Sequence, residues 1–196
     1  MGFIRNVLAL VGIAALVAVV YGYQKLSGDI EALGHFDPKF KTTYMDMWSK
    51  LKETGNSADA TVWVVPLEEG VSAEDAEEAM KIVANDLNIR AVGELPLSEQ
   101  VELQTGEKQR FLKIFQYCDP ETAMKMVAHT DAFAAYLPCR IAIVEGKDGI
   151  FRLYSLNMDL MIHGGAELPP ELKAEALRVK ETIQKIMSSG AAGDFF

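Results

Sequence analysis

Cys139–Leu156, CRIAIVEGKDGIFRLYSL, decides the fold. Two runs rich in β-branched and aromatic residues, Cys139–Glu145 and Ile150–Leu156, flank Gly146-Lys147-Asp148-Gly149, which has the composition of a hairpin turn. A turn this short permits only antiparallel pairing, because parallel strands need a crossover of a dozen or more residues. Phe111–Cys118 (FLKIFQYC) alternates as a further strand, with Leu112, Ile114 and Cys118 on one face and Phe111, Phe115 and Tyr117 on the other. Thr61–Leu67 (TVWVVPL) and Ile89–Leu95 also read as strands. Pro96–Glu107 contains a weaker extended piece at Gln100–Leu103 and a turn at Thr105-Gly106.

Helical patterns lie between these strands. Ser72-Ala73-Glu74-Asp75 resembles a capping box opening a helix to about Leu87, with Ala76, Met80, Val83 and Leu87 inward. Asp119-Pro120-Glu121 supplies an N-cap and a proline at the first helical position, with Ala123, Met124, Val127 and Ala128 inward. Pro169-Pro170 precedes a helix carrying Leu172, Ala176, Val179, Ile183 and Ile186 on one face. Interleaved strands and helices with antiparallel pairing give an α+β fold, a mixed or antiparallel sheet with helices on one face.

Upstream of this domain, Val7–Tyr23 (VLALVGIAALVAVVYGY) carries no charge over roughly 17 residues and is long enough to cross a bilayer as one helix. Tyr21 and Tyr23 fall where amphipathic rings favour the membrane interface. Arg5 precedes the segment, and Lys25 after it is offset by Asp29 and Glu31, so the positive-inside rule places Met1 in the cytoplasm and the rest outside. A cleaved signal would need a small-residue site, and Val20-Tyr21-Gly22 is a poor one. The expectation is a single-pass inner-membrane protein with a periplasmic C-terminal domain.

The chain divides into a cytoplasmic start (1–6), an anchor (7–23), a tether and amphipathic helix (24–58), a folded domain (59–165), a C-terminal amphipathic helix (166–187) and a loose tail (188–196) whose Phe195-Phe196 is a candidate docking element. In the second amphipathic segment Asp37 is the expected N-cap and Pro38 the first helical residue. Phe40, Tyr44, Met47, Trp48 and Leu51 then share one helical face, which must pack on the domain, the membrane surface or a partner. With 19 basic against 28 acidic residues the net charge is −9, a field that repels phosphates and argues against nucleic acid as a partner.

The stretch from Phe111 onward resembles the DUF302 family of bacterial and archaeal proteins. The resemblance rests on Cys118-Asp119-Pro120 closing a strand, Leu137-Pro138-Cys139-Arg140 leading the next, Glu145, the turn glycine Gly149 and Ser155-Leu156-Asn157. It covers roughly Thr61 to Ile162; Met158 departs from it, and the anchor, the Trp48 helix and the C-terminal helix look like additions. It implies a compact α+β domain that tends to dimerise, and little about chemistry.

Cys118 and Cys139 are the first candidates for chemistry. They read as small buried hydrophobes, a disulfide, or a ligand or redox site. Parallel neighbouring strands would hold them a strand's length apart, whereas antiparallel ones would not. Arg140 is read as an anion binder or the partner of Glu145 or another carboxylate, and Asp119 as a helix cap rather than a base. His35, His129 and His163 have no metal-ligand spacing, so no metal site is expected. His163, beside Gly164-Gly165, is the most suggestive of the three, and axial ligation of non-covalent haem with Met158 or Met161 stays open. No catalytic motif is present, so a non-enzymatic accessory subunit of a larger membrane complex, respiratory or photosynthetic, is the leading expectation. A periplasmic ligand- or redox-sensing module using Cys118, Cys139, Arg140 and His163 is the alternative.

Overall fold

The computed structural model describes residues 2–194. Met1 and Phe195-Phe196, the expected cytoplasmic start and docking element, lie outside the described residues. Helix α1 (Gly2–Leu33) is continuous, and its apolar window has no protein cover. By length and composition alone it is apolar enough to span a membrane. At 1.5 Å per residue it is roughly 48 Å long, more than the ~30 Å hydrocarbon core needs. The tether expected at Gln24–Gly34 is therefore helix, because Gln24, Lys25, Leu26, Glu31 and Ala32 are good helix formers and no proline interrupts them.

The domain is built on a five-stranded antiparallel sheet in the order β1-β5-β4-β3-β2, with β1 Val62–Pro66, β2 Arg90–Leu95, β3 Leu112–Cys118, β4 Cys139–Glu145 and β5 Phe151–Leu156. On one sheet face Phe115, Tyr117, Ile141, Ile143 and Leu153 are buried beneath helices α4 (Ala73–Asp86) and α8 (Pro170–Ala192). Every position expected inward on α8, Leu172, Ala176, Val179, Ile183 and Ile186, is buried. The opposite face is only half covered; Val64, Tyr154, Ala142 and Ile114 run across it in register.

The capping box at Ser72 and Asp75 forms as expected, and the Thr122 N–H donates to Asp119 at the start of α6 (Pro120–His129). Four local readings differ. Gln100–Leu103 belongs to α5 (Leu97–Thr105), a stretch of glutamate, glutamine and leucine closed by left-handed Gly106. On α6 the buried residues are Thr122, Ala123 and Met126, while Met124 is exposed, because Asp119, Thr122 and Lys125 reach Arg178 and Glu175 and turn that side towards α8. Leu87 caps α4 at the surface, where the chain turns through left-handed Asn88. The tail expected to be loose from Ser188 is helical to Ala192, with Ser189, Gly190 and Ala191 buried against α4.

A buried clasp fastens the connector to the domain. Between α1 and α2 (Phe40–Thr54), Phe36 forms an antiparallel bridge with Ala166, and the Asp37 N–H donates to the Gly165 carbonyl at 2.9 Å. Asp37 is 3 % exposed and its carboxylate accepts from the Lys39 N–H, faces His163 Nδ1 at 3.0 Å and pairs with Lys173 at 2.6 Å. Asp37 is thus less a helix cap than the hub of a three-way junction, while α2 itself begins at Phe40. Burial raises the Asp37 carboxyl, but Lys173, the Lys39 N–H and His163 outweigh it and bring it from 3.8 to about 2.

Two predictions follow from this packing. A Cβ on Gly190 would stand 2.5 Å from Met80 Cγ and 3.3 Å from Leu153 Cδ1, so Gly190→Val forces α8 off α4 and costs about 1–3 kcal/mol, read as a lower urea midpoint. Asp37→Ala leaves buried His163 without its carboxylate and half-buried Lys173 with Glu167 alone, and costs about 3 kcal/mol. Because the folded Asp37 pKa is depressed, its contribution of about 2 kcal/mol is present above pH 4 and fades as pH falls towards 2. Limited proteolysis across that window should cut the connector first in the wild type, and at every pH in the variant.

Candidate functional site

The antiparallel register of β3 and β4 sets Tyr117 opposite Cys139, so Cys118, the last residue of β3, lies beside the first residue of β4. The obstacle that parallel strands would have raised is absent, and the two free thiols share the wall of one cavity of about 30 Å³. Its remaining wall comes from α6, from the 3₁₀ turn Asp131–Tyr136 with Leu137 after it, from α7 (Asp159–His163) with the Met158 that precedes it, and from Ala176 and Val179 of α8. Met126, Met158 and Met161 are among these residues, beside Phe133 and Leu137. Tyr117 also lines it, and its buried hydroxyl has no hydrogen-bond partner among the described residues.

The surroundings hold both thiols protonated. Burial pushes Cys139 up to about 11, neighbouring Cys118 adds to the shift, and Arg140 opposes it. Cys118 is also raised, by burial and then by the Asp119 carboxylate. Asp119 is occupied: burial would raise its carboxyl, but Arg178 and the Thr122 N–H hold it low as a capped ion pair.

Arg140 and His163 do not join the thiols. Arg140 is exposed on β4 and lines a separate small cavity with Tyr136, Pro138, Ser155 and Leu156; Cys139, Met158 and Met161 form the partition between the two cavities. The expected pairing of Arg140 with Glu145 is absent, because the two stand at opposite ends of β4 and the Glu145 carboxylate accepts the Phe111 N–H instead. His163 is 1 % exposed and its Nδ1 is taken by Asp37, while His35 and His129 are exposed. Among the described residues no three His, Cys, Asp or Glu side chains converge.

Phe40, Met47 and Leu51 are half-buried and Tyr44 and Trp48 are exposed, so no residue of α2 is buried. Tyr44 nevertheless anchors the helix by donating its hydroxyl to the Gly164 carbonyl at 3.0 Å. Tyr21 and Tyr23 are exposed on α1. Asp37, Lys173 and the wall role of Met126 were not singled out by sequence. The Asp37-Pro38 step at the start of a helix was visible, but its partners lie 126 and 136 residues away along the chain.

A family model described as a domain of unknown function, DUF302, matches residues 63–190, which includes the C-terminal helix that the sequence had suggested was an addition. No curated protein matches the chain. Among solved structures, the crystal structure of an uncharacterized conserved DUF302 protein from Bacillus stearothermophilus is similar over 66 % of this chain and 97 % of its own, with a TM-score of 0.53 and 12 % identity. That likeness concerns the fold.

With Cys139 titrating near 11, roughly one thiol in a thousand is ionised at pH 8. Alkylation of native protein by iodoacetamide, followed by peptide mass spectrometry, should therefore label Cys139 far more slowly than the urea-unfolded chain at the same pH, with a rate that climbs to about pH 11. Equal rates in both states would show that the cavity does not protect the thiol.

Proposed function

From the premise that the chain belongs to the DUF302 family, we propose that it is a single-pass membrane protein whose periplasmic domain serves as an accessory subunit of a larger membrane complex. The observation that carries this reading is the α2 face. A helix with Phe40, Tyr44, Met47, Trp48 and Leu51 on one side is fastened to the domain at Asp37 and Tyr44, yet buries none of them. An ordered amphipathic helix with its apolar face uncovered, held shortly after a membrane-length segment, is positioned to meet a neighbouring subunit near the bilayer. Exposed Val64 and half-buried Tyr154, Ala142 and Ile114 on the sheet's open face give a second apolar surface, suited to self-association.

The shared cavity favours a second reading, a ligand- or thiol-dependent module. Cys118 and Cys139 are together where a small apolar group or a thiol reaction would be sheltered from water. Arg140 borders that site from outside and His163 belongs to the clasp, so the module reduces to the two thiols and their apolar wall.

Extraction in mild detergent, native electrophoresis and mass spectrometry test the first reading. The protein should migrate with other membrane subunits, and Trp48→Ala, which leaves both fastenings of α2 in place, should release it without lowering the domain's melting temperature. Recovery of the wild type solely as a monomer or homodimer would refute the assignment.

A further inference from the structure

Five of the residues lining the Cys118–Cys139 cavity carry sulfur: two thiols and the thioethers of Met126, Met158 and Met161. Cys139, Met158 and Met161, with Leu137, also line the adjoining cavity, so these residues lie between the two. The wall's carboxylate, Asp119, is committed to Arg178 and to the α6 cap. Nitrogen and free oxygen donors are missing from it among the described residues, apart from the Thr122 and Tyr117 hydroxyls.

We propose that this cavity is a binding site for one soft monovalent cation of the Cu(I) class, held by the Cys118 and Cys139 sulfurs with Met161 or Met158 as thioether ligand. The inference rests on reading the cavity as a binding site and goes beyond it by naming what binds. Sulfur donors select Cu(I), whereas imidazole and carboxylate suit Zn(II), Mg(II) and Ca(II) better. A divalent ion would keep only thioethers after its two thiolates, too poor a set for Zn(II).

Charge balance favours a monovalent ion as well. Uptake breaks one S–H bond and sends its proton to solvent; the thiolate so formed bonds the ion, and the second cysteine and the thioether each add a neutral sulfur–copper bond. One positive charge replaces another, and the apolar cavity keeps its net charge. No electron moves. A cavity of about 30 Å³ has room for a bare ion once the flexible methionines close on it, and none for a hydrated one.

The test is anaerobic titration of the full-length detergent-solubilised protein with Cu(I) against the chromogenic chelator bicinchoninate. One Cu(I) per chain should be withdrawn from the chelator, with about one proton released per ion in unbuffered solution. Cys118→Ser and Cys139→Ser should each weaken binding by at least the roughly 10- to 100-fold that loss of an outer-shell partner costs a metal site. Met158→Leu with Met161→Leu preserves volume and apolar packing, so this double variant keeps the wild-type circular dichroism and melting curve while still weakening Cu(I) binding. Absence of uptake, uptake that survives the double cysteine variant, or a Met158→Leu/Met161→Leu protein that binds as the wild type does would each overturn the proposal. Formation of a Cys118–Cys139 disulfide in place of ion uptake would overturn it too, yet leave the thiol-dependent reading of the cavity standing.

Discussion

The pairing of β4 with strands on both of its sides is the constraint from which the domain's architecture derives. Its ladder to β5 runs through the four-residue turn, and its ladder to β3 sets Tyr117 against Cys139 and Phe115 against Ile141. Because side chains alternate, a slip of one residue would turn Ile141 and Ile143 to the open face and put Arg140 and Ala142 beneath the helices. The position of Cys139 beside Cys118 is thus fixed by the same register that buries the core. The cavity cannot be dismantled by moving a strand without losing the hydrophobic layer.

The covering layer works under a second constraint, the close approach of two helices. α8 meets α4 where Gly190 faces Met80 and the Ala76 carbonyl, and alanines at positions 73, 76 and 79 give α4 a smooth surface there. Small residues let the backbones come near, so the dispersion contacts that a larger side chain would have made are supplied by the neighbouring helix itself. The ion pairs around this layer are mostly solvent-exposed and add little. The group of Lys81, Lys113, Glu77 and Glu94 differs in that both lysines also lie over the Phe115 ring, shielding the core at the β2 end of the sheet.

How far the sequence was legible follows from the range of the interactions involved. The hairpin, the cap at Asp119, the Ser72 capping box and the inward face of α8 depend on residues within a few positions of one another, and local pattern displayed each of them. The family likeness, at residues 63–190, was carried by the same short segments around Cys118 and Cys139. What local pattern could not display was tertiary. Gln100–Leu103 reads as extended until Ser98 is seen to hold the Leu112 N–H, and Gly190 reads as a loose tail until Met80 is seen above it. His163 drew attention for the flexible glycines beside it. Those glycines instead supply carbonyls, at Gly164 and Gly165, that receive Tyr44 and Asp37 from the connector.

The clasp and the cavity share one short element, and this links the two halves of the molecule. α7 spans Asp159–His163; Met158 and Met161 face the cavity wall while His163, two positions further, meets Asp37. Asp159 is itself tied to Lys180 on α8. A single helical turn held at both ends has no interior in which to absorb a displacement, since each of its residues is committed to a neighbour. Cavity and clasp therefore meet on one five-residue helix, Met161 lining the first and His163 completing the second. The polar junction is buried and the cavity is apolar, yet neither can be reshaped as an independent part of the fold.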